Sequence, residues 1–258
     1  MSRNYRFELA KSANDRRDAF RLRYGVFVEE IGAFTPSADG IEVDPFDEHA
    51  FHILAKCDEK LVGTCRVIVK AQTGTNGSRE TLRLPGEHHY DYSQLVRDGL
   101  GLAEVSRTAV LPEHRGSSVL AKLWKSAYNC AERHGAPHVT AVVQVGCTDS
   151  LVDAGLVHGV LARRGMLHPR YQLNRRCMQV GPISPSVPLY SALERVQSEL
   201  RLPPVMALFH RVGLRACGEP VFIAEVGRVG MAMLAGPETF SAKTQQFFGS
   251  VDPAICLD

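Results

Sequence analysis

Hydrophobic and polar positions alternate with two periods along this chain. Residues Tyr5–Leu9 read as a first strand. Asn14 or Asp15 then caps a helix running to about Glu29, in which Phe20, Arg23 and Phe27 share one face. Ala50–Ala55 and Leu61–Lys70 read as strands joined by a tight CDEK hairpin. The stretch Gln72–Glu87 breaks the pattern and reads as a loop, and a third strand follows at Leu102–Leu111. Next comes an amphipathic helix over about Ser118–His134, with Leu120, Leu123, Trp124, Ala127 and Ala131 on one stripe and Gly135 and Pro137 as stop signals.

The β-branched run Val139–Val145 predicts a buried strand, and Leu151–Arg164 a further helix. Beyond Tyr171 the pattern predicts a strand at Cys177–Val180, a turn through GPISPSVP, helices at Tyr190–Arg201 and Val205–Gly213, and strands at Val221–Val226 and Gly230–Leu234. This order is α/β. We expect a single domain over residues 1–258, with a core at about 5–181 and an extension at about 182–258, because no linker of distinct composition divides the halves.

Composition narrows the function. The 258 residues are 45% hydrophobic and 22% charged, enough for a substantial core. A net charge of +2 argues against a protein built on phosphate neutralisation, so no nucleic-acid partner is expected. Seven scattered cysteines without a C-x-x-C spacing indicate neither a zinc knuckle nor a disulfide framework. With no apolar leader or long apolar run, a cytoplasmic location is expected, in peripheral contact with the inner face of a membrane at most. His49 and His52 are spaced i, i+3 but fall at a loop-to-strand junction where they would not share a helix face, His88 and His89 are adjacent, and no metal site is expected. The chain has no G-x-S-x-G elbow for a serine hydrolase.

Several ionisable residues fall where apolar ones belong. Arg23 lies on the face of Phe20 and Phe27, and a guanidinium there needs carboxylates or an anion to meet it. Glu42, Asp44 and Asp47 interleave with Ile41, Val43 and Phe46 in IEVDPFDEH. Strand period puts Glu104, Ser106, Thr108 and Val110 on one face of LAEVSRTAVL and Ala103, Val105, Arg107 and Ala109 on the other. Arg66 adds a charge in the neighbouring strand. The turn at Arg115, Gly116, Ser117 and Ser118 opens a helix whose first N–H groups suit a phosphate.

In order, these segments resemble the GNAT superfamily of acyltransferases, in the branch of acyl-homoserine-lactone synthases, N-acyl amino acid synthases and ornithine-lipid acyltransferases. The resemblance rests on RLRYGVFVEEIGAF, EVDPFDEH, VGTCR and AEVSRTAVLPEHRG. More faintly, it includes Leu202–Met206 and Phe209–Gly213. It implies a GNAT-like mixed central sheet flanked by helices, with C-terminal helical and strand decoration.

The implied reaction moves a fatty acyl group from a thioester to the amine of an amino acid such as ornithine, with no permanently bound cofactor. Glu104 is then the general base, and backbone N–H groups near Thr108 and Val110 hold the oxyanion. Arg23, Asp44, Asp47, Arg66 and Arg107 form a charged network beside the acceptor, Glu42 is a further substrate-binding residue, and Phe27, Phe34 and Val142 line an acyl tunnel. The family's phosphate loop resembles R-G-x-G-x-G/A, whereas here Ser118 and Leu120 stand in for small residues. Acyl-carrier protein is therefore expected as donor ahead of acyl-CoA, met by Arg115, Lys122 and Lys125. Three other readings remain: a lactone synthase using S-adenosylmethionine, an acetyl-CoA-dependent acetyltransferase, and a non-catalytic module that binds acyl-carrier protein or lipid.

Overall fold

In chain order the computed structural model contains β1 (Tyr5–Leu9), α1 (Ala13–Tyr24), β2 (Phe51–Cys57), β3 (Lys60–Lys70), α2 (Ser93–Arg97), β4 (Leu102–Val110), α3 (Val119–Arg133) and β5 (His138–Gln144). Then follow α4 (Pro204–Arg211), β6 (Arg215–Ala216), β7 (Val221–Ile223), β8 (Arg228–Ala235), α5 (Ala242–Gly249) and β9 (Ile255–Cys256). The structure describes residues 3–70, 83–144, 158–176, 204–223, 226–250 and 252–257. The expected strand Cys177–Val180, the proline-rich turn after it and the helix Tyr190–Arg201 lie outside them, as do most of the Gln72–Glu87 loop and the first half of the Leu151–Arg164 helix.

Contacts along the chain gather into two units. The first holds Met1–Pro85, Leu100–Val139 and Gln245–Asp258. Its sheet runs β4-β3-β2-β1-β9. The pairs from β4 to β1 are antiparallel and β9 lies parallel to β1, so the sheet is mixed. Phe7 N–H donates to the Ala254 carbonyl at 2.6 Å beside that last pair.

Two helices cover this sheet. Cys65 Sγ donates to the Leu123 carbonyl, and a Cβ on Gly63 would lie 3.3 Å from both Leu123 and Val119, so the odd-numbered residues of β3 face α3. Thr64 and Arg66 therefore point the other way, toward α1. Phe20 of α1 packs edge-on against His52 of β2, directly opposite Arg66 in the ladder. Phe7, Ile53, Val67, Ile68, Val105, Leu123 and Ala127 are buried on these two faces. Each large side chain among them contributes roughly 1.5–3 kcal/mol by leaving water.

Helix α1 starts one step before its expected cap. Ser12 accepts from Asp15 N–H at 3.0 Å while Asp15 accepts from Ser12 N–H at 3.0 Å, a reciprocal box that satisfies two end donors. The expected continuation to Glu29 is a change of winding instead. Gly25–Glu30 is a π-helical turn, with Ile31 N–H donating to Val26 O at 3.1 Å. The wider turn displaces every later side chain relative to the face of α1.

The second unit holds Gly86–Gly99 and Thr140–Thr244. There β8 lies between β5 and β6 and also pairs with β7. Tyr90 is buried, donating its hydroxyl to the Glu219 carbonyl at 2.7 Å, and its ring lies where a Cβ on Gly218 would stand. Four short elements, α2, β6, α5 and β9, went unread in the sequence because each is too brief or too weakly periodic. Among the described residues no helix is long and apolar enough to cross a membrane.

Candidate active site

Three arginines and three carboxylates form a closed alternating ring between α1 and the sheet. Arg23 forks onto Asp47 at 2.7 and 3.0 Å and also holds Glu42. Glu42 passes its other oxygen to Arg107 Nε at 2.9 Å, and Arg107 Nη2 reaches Asp44 at 3.0 Å. Asp44 in turn accepts from Arg66 Nη1 at 2.6 Å, and Arg66 returns to Asp47 at 3.1 Å. Each carboxylate serves two guanidiniums and each guanidinium two carboxylates. The charges cancel three against three, which is how groups as deeply buried as Arg23, Arg66 and Asp47 remain ionised.

Local structure presents these groups. Asp44 caps the short 3₁₀ turn Pro45–His49, accepting from Phe46 N–H at 2.9 Å while Asp47 accepts from Asp44 N–H at 2.8 Å. Glu42 N–H donates to the Phe20 carbonyl at 3.1 Å, tying the acidic segment to α1. Burial raises the Asp47 carboxyl, but Arg23 and then Arg66 outweigh it and hold the group at about 2. Beneath Asp47, His52 is buried, with Nε2 3.4 Å from the Asp47 carbonyl and its pKa lowered by burial. The sequence offers His52 only as a metal-ligand candidate beside His49, and it gives Ser106, which accepts from Arg66 Nε at 3.1 Å, no role beyond its place on a strand face.

Strand β4 does not keep the alternation expected of it. The ladder passes from Thr64↔Ala109 to Arg66↔Ser106, so Arg107 and Thr108 together oppose Cys65 in a bulge. Arg107 sits at φ 51°, the left-handed region. The extra residue brings Ala109 onto the face of Glu104 and Ser106, where it packs with Leu22 and Val26, and turns Val110 to the other face opposite Gly63. Glu104 is buried on the α1 face. Leu111 N–H donates to Val62 across the ladder, so the Val110 peptide group points away from β3. Its carbonyl accepts from Arg115 Nε at 2.9 Å.

The turn into α3 is internally bonded. Arg115 also forks onto Glu30 at 2.5 and 2.7 Å. Gly116 has φ 74° with open space around it, Ser117 Oγ donates to the His114 carbonyl at 2.6 Å, and Ser118 makes no side-chain cap bond. Lys122 pairs with Asp252 at 3.1 Å, and the buried Lys125 donates to Ser250 at 2.6 Å. These two lysines bind the C-terminal segment. Phe27 and Phe34 meet edge to face with centroids 6.0 Å apart, and the Arg107 guanidinium lies 4.5 Å above the Phe34 ring. Val142 belongs to β5 in the second unit and is half-buried.

Residues 22–125, which contain the whole ring, the bulge and the turn, match the family model described as Acetyltransferase (GNAT) domain. The chain is an acyltransferase with a GNAT-like fold. Over 255 residues, 95% of each chain, this acyltransferase is 28% identical to an L-ornithine N(alpha)-acyltransferase of Rhodobacter capsulatus. Its fold resembles that of FeeM, an N-acyl amino acid synthase from uncultured soil microbes, with TM-score 0.54, 13% identity and 92% of each chain covered. It also resembles BjaI, a CoA-dependent acyl-homoserine lactone synthase, with TM-score 0.51, 16% identity, and 99% of this chain and 94% of that one covered. The enzyme transfers an acyl group to an amine, and its mixed sheet with flanking helices is GNAT-like.

Proposed function

We propose that this acyltransferase moves a long-chain fatty acyl group from a thioester to the α-amine of ornithine or a closely related amino acid. The observation that carries this reading is the relationship to the Rhodobacter capsulatus ornithine acyltransferase across 95% of both chains. Side chains at Ser118 and Leu120, where the family's loop has small residues, favour acyl-carrier protein as donor, because the donor arm there brings one phosphodiester and not a pyrophosphate.

In this mechanism Glu104 takes a proton from the acceptor ammonium, directly or through one water. The freed amine attacks the thioester carbon, and the oxyanion that develops is met by the Val110 N–H, on the side of β4 away from β3. Collapse forms the amide and breaks the C–S bond, and the departing thiolate takes the second proton from nitrogen. With every ring carboxylate already held by two arginines, the ring acts by positioning. It fixes the bulge at Arg107 and so the strand that carries Glu104 and Val110. Arg66 Nη2, buried without a hydrogen-bond partner among the described residues, is the ring donor we assign to the acceptor carboxylate.

The test supplies purified enzyme with acyl-carrier-protein or CoA thioesters and a panel of amino acids, following free thiol and the N-acyl product by mass spectrometry. Ornithine is expected to give product, and Glu104→Gln to cut the rate about 10²–10⁴-fold without loss of folding. Product with S-adenosylmethionine alone would reassign the enzyme to lactone synthesis. Thermal stabilisation by acyl-carrier protein with no thiol release would make it a binding module.

A further inference from the structure

The turn that leads into α3 carries a fork the chemistry above does not use. Arg115 directs Nη1 and Nη2 at the two oxygens of Glu30, 2.5 and 2.7 Å away and 85 residues distant in sequence. Glu30 closes the π-helical turn Gly25–Glu30, and the hydrogen bond from Arg115 holds its carboxyl below the ordinary glutamate range. Arg115 Nε is anchored on the Val110 carbonyl at 2.9 Å, so the guanidinium has one remaining edge, and Glu30 takes it. That planar edge fits a carboxylate and a phosphodiester by the same pair of parallel hydrogen bonds.

The neighbouring cations follow the same pattern. Lys122, one turn into α3, pairs with Asp252, and Lys125 is buried against Ser250 and the Phe247 ring. Arg115 and Lys122 are thus paired with carboxylates, and Lys125 is buried on an uncharged hydroxyl.

Resting on the acyl-transfer reading for the identity of the ligand, we propose that Glu30 is a built-in competitor for the phosphate of the acyl donor and sets donor affinity by occupying the fork of Arg115. A phosphate-bearing donor must displace Glu30 to reach Arg115, whereas a donor lacking phosphate has no stake in the pair. Free phosphate and nucleotides are held off in the same way.

The test compares two donors, an acyl-pantetheine thioester without phosphate and the corresponding acyl-4′-phosphopantetheine. Binding is measured by calorimetry and turnover by thiol release, for the wild type, Glu30→Gln and Glu30→Asp. The pair is half-exposed, and exposed pairs are worth little, so removing the competitor is expected to tighten the phosphate-bearing donor by roughly three- to five-fold. The neutral donor is expected to bind Glu30→Gln as it binds the wild type, and Glu30→Asp is expected to retain the competition. Equal or weaker binding of the phosphate-bearing donor to Glu30→Gln would overturn the proposal, as would a parallel shift for both donors, which would make Glu30 a support for the fold of the turn. Tighter binding without turnover in any variant would leave the competition standing and overturn acyl transfer.

Discussion

Ser106 and Arg107 are adjacent in β4, yet both side chains reach the same assembly, Ser106 by accepting from Arg66 and Arg107 by donating to the Asp44 carboxylate that Arg66 also holds. In a regular strand two neighbours point to opposite faces. The left-handed backbone of Arg107 is what brings them together.

That backbone has a measurable signature. Arg107→Ala and Arg107→Gly remove the same side chain and leave Glu42 and Asp44 one guanidinium short. Only glycine relieves the left-handed conformation, which costs a residue bearing a Cβ roughly 1–2 kcal/mol. Both variants are expected to be less stable than wild type, with Arg107→Gly the more stable of the two by about 1 kcal/mol in urea unfolding. Equal midpoints would show that the bulge is not under strain.

Asp47 is the buried hub between Arg23 and Arg66. Asp47→Asn leaves two buried guanidiniums undercompensated and is expected to cost about 3–5 kcal/mol. The same contact predicts acid sensitivity. The folded carboxyl sits at about 2 against an ordinary 3.8, so its contribution is complete above pH 3.8 and fades as pH falls toward 2. The contribution is on the order of 2 kcal/mol. Unfolding free energies measured from pH 5 to pH 2 should fall more steeply for wild type than for Asp47→Asn.

His52 adds a second pH dependence at a different place. Burial lowers its pKa from 6.5 despite the nearby Asp47, so the folded protein resists protonating it while the unfolded chain does not. Its contribution is complete above pH 6.5 and is lost as pH falls below that value. Between pH 7 and pH 5 the wild type should lose stability that His52→Leu retains. Parallel pH profiles would remove His52 from this role.

Gly101 precedes β4 and has no room for a side chain, because a Cβ there would run into the Gly135 carbonyl and lie 3.2 Å from Ala136 Cα. Gly101→Ala is expected to destabilise the protein by about 1–3 kcal/mol in thermal or urea unfolding. Gly249→Ala, with nothing within 4 Å, is the control and should change stability by less than about 0.5 kcal/mol.

The members of the ring were legible because each violates its local pattern. Arg23 interrupts an apolar helix face, Arg66 and Arg107 interrupt apolar strands, and the acidic residues interleave with Ile41, Val43 and Phe46. What links them was not legible. The bulge inserts one residue into a strand whose alternation continues on either side, and the π-helical turn continues α1 from Gly25 with no break in the helical pattern to mark the change of winding. The pairing of Arg115 with Glu30 and of Lys125 with Ser250 depends on contacts 85 and 125 residues apart, which no local period encodes. Arg115 and Lys125 read as cations awaiting an anion because their partners lie on distant elements.

Strand β9, paired parallel to β1 over Phe7↔Ile255 and Glu8↔Cys256, joins segments 248 residues apart in the chain. During translation β1 can pair with β2 as soon as residue 57 has emerged, but its other side waits for about two hundred more residues before residue 256 arrives. Until then β1 is an open edge, able to template pairing with a strand of another nascent chain. The same late closure delivers Ser250 and Asp252 to Lys125 and Lys122, so those two ammonium groups, exposed on the growing chain, are paired only after residue 252 has emerged.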